Sequence, residues 1–383
     1  MNVIDMLEGK RVCICGGSGG VGKTTTAAAI AMGMAADGAK VAVVTIDPAK
    51  RLATSLGLEE LGNDPRLVDP AVFKQSGMEM KGELWAMMLD PKRTFDDLIA
   101  RLAPDERKRD EVLSNRIYQE LSTAVAGSQE FTAIAKLYEL DREGDYDLLV
   151  LDTPPSRNAL DFLDAPDRLT SFFEGRALQV FLRPTGLGMR LFGRGTGVVF
   201  SILKRVTGID LLEDLSVFFR SLGGMIEGFK ERATAVNALL SDRGTTFLLV
   251  TSPEREPIEE ATFFWRKLKA ARMPFGGVIV NRVHHSYELG KLDVAQVASE
   301  LEPELGPKLA GRVAENLGDY HMLAQRDREN ISELAHRLGG EERMILVPYL
   351  NSDVHDIDGL RAVHRYLWAT EEERTAMLAD VVA

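Results

Sequence analysis

The run Gly17-Ser18-Gly19-Gly20-Val21-Gly22-Lys23-Thr24 joins a glycine-rich turn to a lysine and a hydroxyl. The apolar stretch Val12 to Cys15 precedes it and Thr25-Thr26-Ala27-Ala28-Ala29-Ile30 follows, so the order reads strand, loop, helix. Successive backbone N–H groups of such a loop surround a phosphate at the positive end of the new helix. Gly19, Gly20, Val21, Gly22 and Thr25 would form that cradle. Lys23 would neutralise β- and γ-phosphates, and the Thr24 hydroxyl would hold magnesium.

Phosphoryl transfer to water also needs a metal and a group that orients the attacking water, and carboxylates at strand ends are the candidates. Asp152 closes the apolar run Leu148-Leu149-Val150-Leu151, the position of a carboxylate that meets magnesium; the alternative is a strand-end turn residue. Asp47 lies in Thr45-Ile46-Asp47-Pro48-Ala49-Lys50-Arg51-Leu52, where proline fixes the turn and aims the carboxylate inward. Orienting or activating water is its expected role, with Lys23 as the second catalytic candidate. The segment Thr153-Pro154-Pro155-Ser156-Arg157-Asn158-Ala159-Leu160 is a proline-stiffened loop able to sense a γ-phosphate. Asn281 could hydrogen-bond an adenine edge and Pro348 could pack on the ring; equally, they could be a strand-end cap and a turn proline. The six histidines show no metal-binding pattern, and the side chains of adjacent His284 and His285 diverge.

Apolar runs bounded by turn residues recur at Val12–Cys15, Val41–Ile46, Leu84–Leu89, Leu148–Leu151, Thr246–Thr251, Gly277–Val280 and Met344–Val347, the pattern of buried parallel strands. Helical patterns such as Lys23–Ala36, Gln129–Arg142 and Ile258–Ala271 alternate with them. The expected fold is therefore α/β, a mostly parallel sheet sandwiched by helices. Ligands in such sheets bind beyond the strand C-termini, where Asp47, Asp152, Asn281 and Pro348 fall. From Leu163 to Leu240 no strand is expected, and the helical pattern is interrupted at Pro184-Thr185-Gly186 and Gly193-Arg194-Gly195-Thr196-Gly197. Residues 1–162 and 241–383 then form the core, and 163–240 an inserted helical subdomain. No second phosphate loop occurs, so a two-site machine would have to be a dimer.

With 383 residues and 45% hydrophobic content the chain can bury a full core. A formal net charge of −12 argues against general nucleic-acid binding, which needs a basic footprint. Two cysteines, Cys13 and Cys15, share one face of the first strand and read as buried strand residues. No signal-peptide pattern appears, nor an apolar run near the roughly 20 residues that span a bilayer, so a soluble cytoplasmic protein is expected. Arg176 to Gly208 is unusual: it carries Arg176, Arg183, Arg190, Arg194, Lys204 and Arg205, no Asp or Glu, and many Met, Phe and Leu side chains. A groove for an apolar client helix, adsorption to an anionic membrane surface, and a core-facing stripe with a solvated basic face are the three readings.

The phosphate loop, Thr45-Ile46-Asp47-Pro48-Ala49, Leu84-Trp85-Ala86-Met87-Met88-Leu89-Asp90-Pro91 and Asp152-Thr153-Pro154-Pro155-Ser156, in this order, resemble the arsenite-pump ATPase family of phosphate-loop NTPases. That family also includes the ATPase that delivers tail-anchored membrane proteins. Asn281-Arg282-Val283 and Val347-Pro348-Tyr349-Leu350 look like its adenine-binding segments. The resemblance implies that Gly19 to Thr26 bind the triphosphate of ATP, Thr24 holds Mg2+, Asp47 positions water and Asp152 opens the second switch. It also implies a dimer that closes over ATP and moves a helical region handling a client, the place that 163–240 occupies. Ser18 departs from the pattern, since the family's loop usually has there a lysine that reaches the partner's phosphates. A trans cation can contribute ~10³–10⁵ in rate, so this chain would be slow alone, and either a homodimer or a heterodimer with a lysine-bearing paralogue is implied. Cys13 and Cys15 cannot reproduce clustered metalloid thiols or an intersubunit Cys-x-x-Cys, so arsenite transport is not expected.

The leading reading is a magnesium-dependent ATPase whose cycle opens and closes a dimer acting on a hydrophobic protein client or a membrane surface, in the cytoplasm or peripherally on a membrane. A positioning or partitioning ATPase and a nucleotide-binding scaffold with little turnover are the alternatives.

Overall fold

The computed structural model describes residues 1–47, 50–116, 118–119, 128–153, 159–174, 218–285, 293–340, 343–350 and 352–380. Eight strands form one sheet: β1 Val12–Gly16, β2 Lys40–Thr45, β3 Arg66–Leu67, β4 Glu83–Met88, β5 Leu148–Asp152, β6 Thr245–Thr251, β7 Phe275–Val283 and β8 Met344–Pro348. Their order is β3-β4-β2-β5-β1-β6-β7-β8. Every pairing is parallel except that of the two-residue edge strand β3 with β4.

The seven apolar runs of the sequence are the seven longer strands, with ends that coincide or shift by up to three residues. The run ending at Val280 continues as strand to Val283, through a register irregularity against β8 and a left-handed backbone at Arg282, φ 61°. Asn281 therefore sits inside β7, not beyond it.

Alternation along each strand sends side chains to two cores. In β1, Val12 and Ile14 enter a cluster with Phe229, Val236 and Phe247; Cys13 and Cys15 enter the opposite one with Ala28, Ile30 and Leu360. Both cysteines are buried and free. The helix Lys23–Ala36 is apolar nearly all round and lies between the sheet and the helix Ile357–Trp368, as expected of a helix covered on more than one side.

Within 163–240, the described residues are helical apart from a turn at Gly224 and Met225, and Leu163, Ala165, Phe218, Leu222, Phe229 and Val236 pack into the same core as the sheet. The basic stretch Arg176–Gly208 and the loop residues 154–158 lie outside the described residues. Among the described residues no helix is long and apolar enough to cross a membrane.

Candidate functional site

Strand register sets the site. Cys15 and Thr45 both stand level with Asp152, so the carboxyl ends of β1, β2 and β5 meet at one height at the centre of the sheet. The glycine loop leaves β1 there and passes into the helix Lys23–Ala36, whose N-cap Gly22 offers no side chain to the first amides. Those N–H groups are left for an anion. Two glycines are obligatory. A Cβ on Gly17 would lie 1.9 Å from the Val250 carbonyl oxygen, and Gly22 has φ 97° with its Cβ position 2.3 Å from Asn281 Nδ2.

Beyond the loop opens a cavity of about 930 Å³, lined by Gly19, Gly20, Gly22, Lys23, Thr24, Thr25, Asp47, Asn281 and Pro348, together with Arg51, Thr153, Arg282 and Tyr349. Val21 lies beneath it, its carbonyl accepting a 3.0 Å hydrogen bond from Asn281 Nδ2. The amide of Asn281 thus braces the loop as well as facing the cavity.

Asp152 is 1% exposed. Its Oδ2 accepts from the Thr24 hydroxyl at 2.7 Å and the Thr45 hydroxyl at 2.8 Å, while Oδ1 is buried with no partner. Burial pushes this carboxyl up to about 6, against the two hydroxyls and Lys23. A buried carboxylate with one oxygen unpaired is costly. A divalent cation beside Thr24 would remove that cost, so the residues fit magnesium. Thr45 also accepts from the Asp47 backbone N–H at 3.1 Å, which ties Asp47 to Asp152 through one hydroxyl.

Lys23 is buried and donates to the Ser18 carbonyl at 2.7 Å. Burial pushes its ammonium below the ordinary lysine range, opposed by Asp152 and Asp47. A cation beside such a loop has the chemistry to pair with a polyphosphate. Ser18, 8% exposed, hydrogen-bonds through its hydroxyl to the Glu260 carboxylate on the helix Arg255–Ala270.

Sequence reasoning assigned no role to Thr45 or Glu260, and placed Arg282 and Tyr349 only within the two segments that look like the family's adenine-binding ones. Thr45 had a signal, standing two residues before Asp47 on a run aligned with Leu148–Leu151. Glu260 had none.

A central glycine loop at the switch in strand order, a buried lysine and a strand-end carboxylate define a phosphate-loop nucleotide-binding protein. The profile of the anion-transporting ATPase family matches residues 10–296, and the chain belongs to that family. Relatives include ATPase ARSA1 of Chlamydomonas reinhardtii, 26% identical over 78% of this chain and 38% of that protein. ATPase GET3 of Malassezia globosa is 28% identical over 66% of each, and ATPase ASNA1 homolog 2 of Paramecium tetraurelia 24% over 82% of this chain and 87% of its own. The chain therefore spans well under half of the algal protein and 66% of the Malassezia one. The family is one of ATPases, and ATP is the nucleotide its members use.

Proposed function

We propose that this chain binds and hydrolyses ATP with magnesium, that hydrolysis opens and closes a dimer, and that the dimer acts in the cytoplasm on a hydrophobic protein client or at a membrane surface. The observation that carries the reading is Asp152, buried under the phosphate loop with one oxygen held by Thr24 and Thr45 and the other unpaired.

In this reading Gly19 to Thr25 cradle the triphosphate by backbone N–H groups, and Lys23 leaves the Ser18 carbonyl for the β- and γ-phosphates. Thr24 and Asp152 hold magnesium, which when bound neutralises charge on the phosphate oxygens. Asp47 holds the attacking water in line, and its link through Thr45 to Asp152 keeps it registered with the metal side. Asn281 and Pro348 flank the base. The segment 163–240 is the part assigned to the client. Arsenite is left out of the proposal, because both thiols lie buried in β1.

Ser18 favours a second reading, low turnover by the chain alone. The hydroxyl bonds to Glu260 of its own chain and supplies no cation to a partner. A heterodimer with a lysine-bearing paralogue would restore one. The test is magnesium-dependent ATP turnover by wild type and Asp47→Asn, with native mass recorded in the same samples. Loss of turnover in Asp47→Asn with ATP still bound supports hydrolysis through Asp47. ATP binding with no turnover by wild type at any protein concentration would leave the scaffold.

A further inference from the structure

The helix Pro307–Leu338 runs against the strands. Leu338 lines a small cavity with Phe275 and Met344, the first residues of β7 and β8. Nearer the other end, Asn330 donates to the Pro253 carbonyl just past β6, and an Asp327 oxygen lies 3.0 Å from the His284 backbone nitrogen and 2.7 Å from its Nδ1 just past β7. The stretch from Pro307 to Asp327, about 30 Å of helix, therefore passes beyond the carboxyl ends of the strands, on the side where the glycine loop opens.

One face of this helix changes its surroundings along its length. Ile331 and Leu334 are buried in the core beside the sheet. Steps of three and four residues carry the same face back through Tyr320 and Leu317 to Val313 and Leu309, which are 37% and 51% exposed. The helix Val294–Leu305 does not cover them. It packs on the flank where Ala310 and Ala314 are buried, close enough at Gly318 that a Cβ there would stand 2.9 Å from Val294, and it buries none of its own residues. A second row runs along the opposite flank: Lys308, Arg312, Glu315 and Asp319, all exposed and none in an ion pair among the described residues. Its basic half precedes its acidic half. Beside a parallel copy of the helix like charge would meet like, whereas an antiparallel copy sets Lys308 towards the partner's Asp319 and Arg312 towards the partner's Glu315, and the same again from the other side. That is the self-complementarity a two-fold interface requires.

We propose that this projecting part of the helix Pro307–Leu338 docks on its counterpart in a second copy of the chain, antiparallel, with Leu309 and Val313 in the seam and the two charged rows matched along its edge. The inference rests on the dimer reading above and gives that dimer a contact outside the nucleotide cavity. Position favours a second copy as the occupant, because a copy that approaches the glycine loop arrives on the side to which the helix projects. The apolar seam supplies affinity, and the charge order fixes direction and register.

The test is sedimentation equilibrium of the full chain over a range of concentrations, with and without magnesium ATP, on wild type and two charge variants. One carries Lys308→Glu with Arg312→Glu and has an all-acidic row; the other carries Glu315→Lys with Asp319→Lys and has an all-basic row. Wild type should dimerise, and each variant alone should dissociate roughly tenfold more readily. An equal mixture of the two variants should recover wild-type association as a dimer with one copy of each, which chains that had merely misfolded could not do. Variants that dimerise as tightly as wild type, or that gain nothing on mixing, would overturn the helix pairing and leave dimerisation to another surface. Wild type that stays monomeric at every concentration, with and without nucleotide, would remove the dimer reading itself and this pairing with it.

Discussion

Burial pushes the Asp152 carboxyl from its ordinary 3.8 up to about 6, against the pull of the Thr24 and Thr45 hydroxyls and the Lys23 ammonium. The folded, metal-free chain therefore holds this proton more tightly than the unfolded chain does. Folding takes up the proton between these two values, so this contribution to stability is full below about pH 4, falls as pH rises through about 6, and stays lost above it. At about 1.4 kcal/mol per pH unit the window is worth about 3 kcal/mol. Asp152→Asn, measured by denaturant unfolding with chelator present, should flatten that slope and raise stability near neutral pH while weakening magnesium-dependent ATP binding. A slope as steep as wild type's in Asp152→Asn would assign the titration to another group. Gly22 gives a second prediction at this scale. Gly22→Ala must place a β-carbon at φ 97° and 2.3 Å from Asn281 Nδ2. The left-handed conformation alone costs about 1–2 kcal/mol, and displacing Asn281 undoes its bond to Val21. Thermal unfolding with and without magnesium ATP should show both a lower Tm and a lost ligand-induced rise.

The helix Lys23–Ala36 bears the proposed phosphate site at one end and a helix contact near the other. A Cβ on Gly33 would stand 2.3 Å from Trp368 Cη2 and 2.5 Å from His364 Cδ2, so the helix Ile357–Trp368 can approach only because position 33 has no side chain. Gly33→Ala should destabilise by roughly 1–3 kcal/mol through overpacking. Position 33 lies about 15 Å along the helix from Lys23, so ATP affinity should survive. Denaturant unfolding beside an ATP titration checks the pair, and a matching loss of affinity would mean that the strain reaches the loop. This helix was legible in the sequence because a glycine loop starts it and alanines fill it, and the strands were legible as uninterrupted apolar runs. Strand β3 was not, being two exposed edge residues. The long helix Pro307–Leu338 escaped because its buried stripe is largely Ala310, Ala314 and Ala324, which contrast weakly with their neighbours. Within the site, the contiguous loop could be read directly. The hydrogen bonds that join it to the rest could not, since Thr45 and Asp152 are 107 residues apart, Ser18 and Glu260 242, and His284 and Asp327 43.

A chain with one phosphate loop gains a second site only from another chain, so the last prediction belongs to the assembled molecule. In the proposed dimer a cation offered by one copy to the other's phosphates would stabilise the charge that develops during transfer. Ser18 cannot offer it, and the Glu260 carboxylate already accepts the Ser18 hydroxyl. Ser18→Lys by itself would set a new ammonium beside that carboxylate in a mostly buried position, where the two would pair within one chain. The substitution should therefore raise turnover only modestly. Ser18→Lys with Glu260→Gln frees the ammonium for the partner, and turnover should then rise toward the ~10³ gain at the lower end of a trans cation's range. Because the gain needs two copies, turnover per chain should also climb with protein concentration and level off once dimers dominate. ATP hydrolysis across a dilution series, with native mass at each point, decides it. A double variant no faster than Ser18→Lys, or a rate per chain indifferent to dilution through dimer dissociation, would show that catalysis here is completed within one copy.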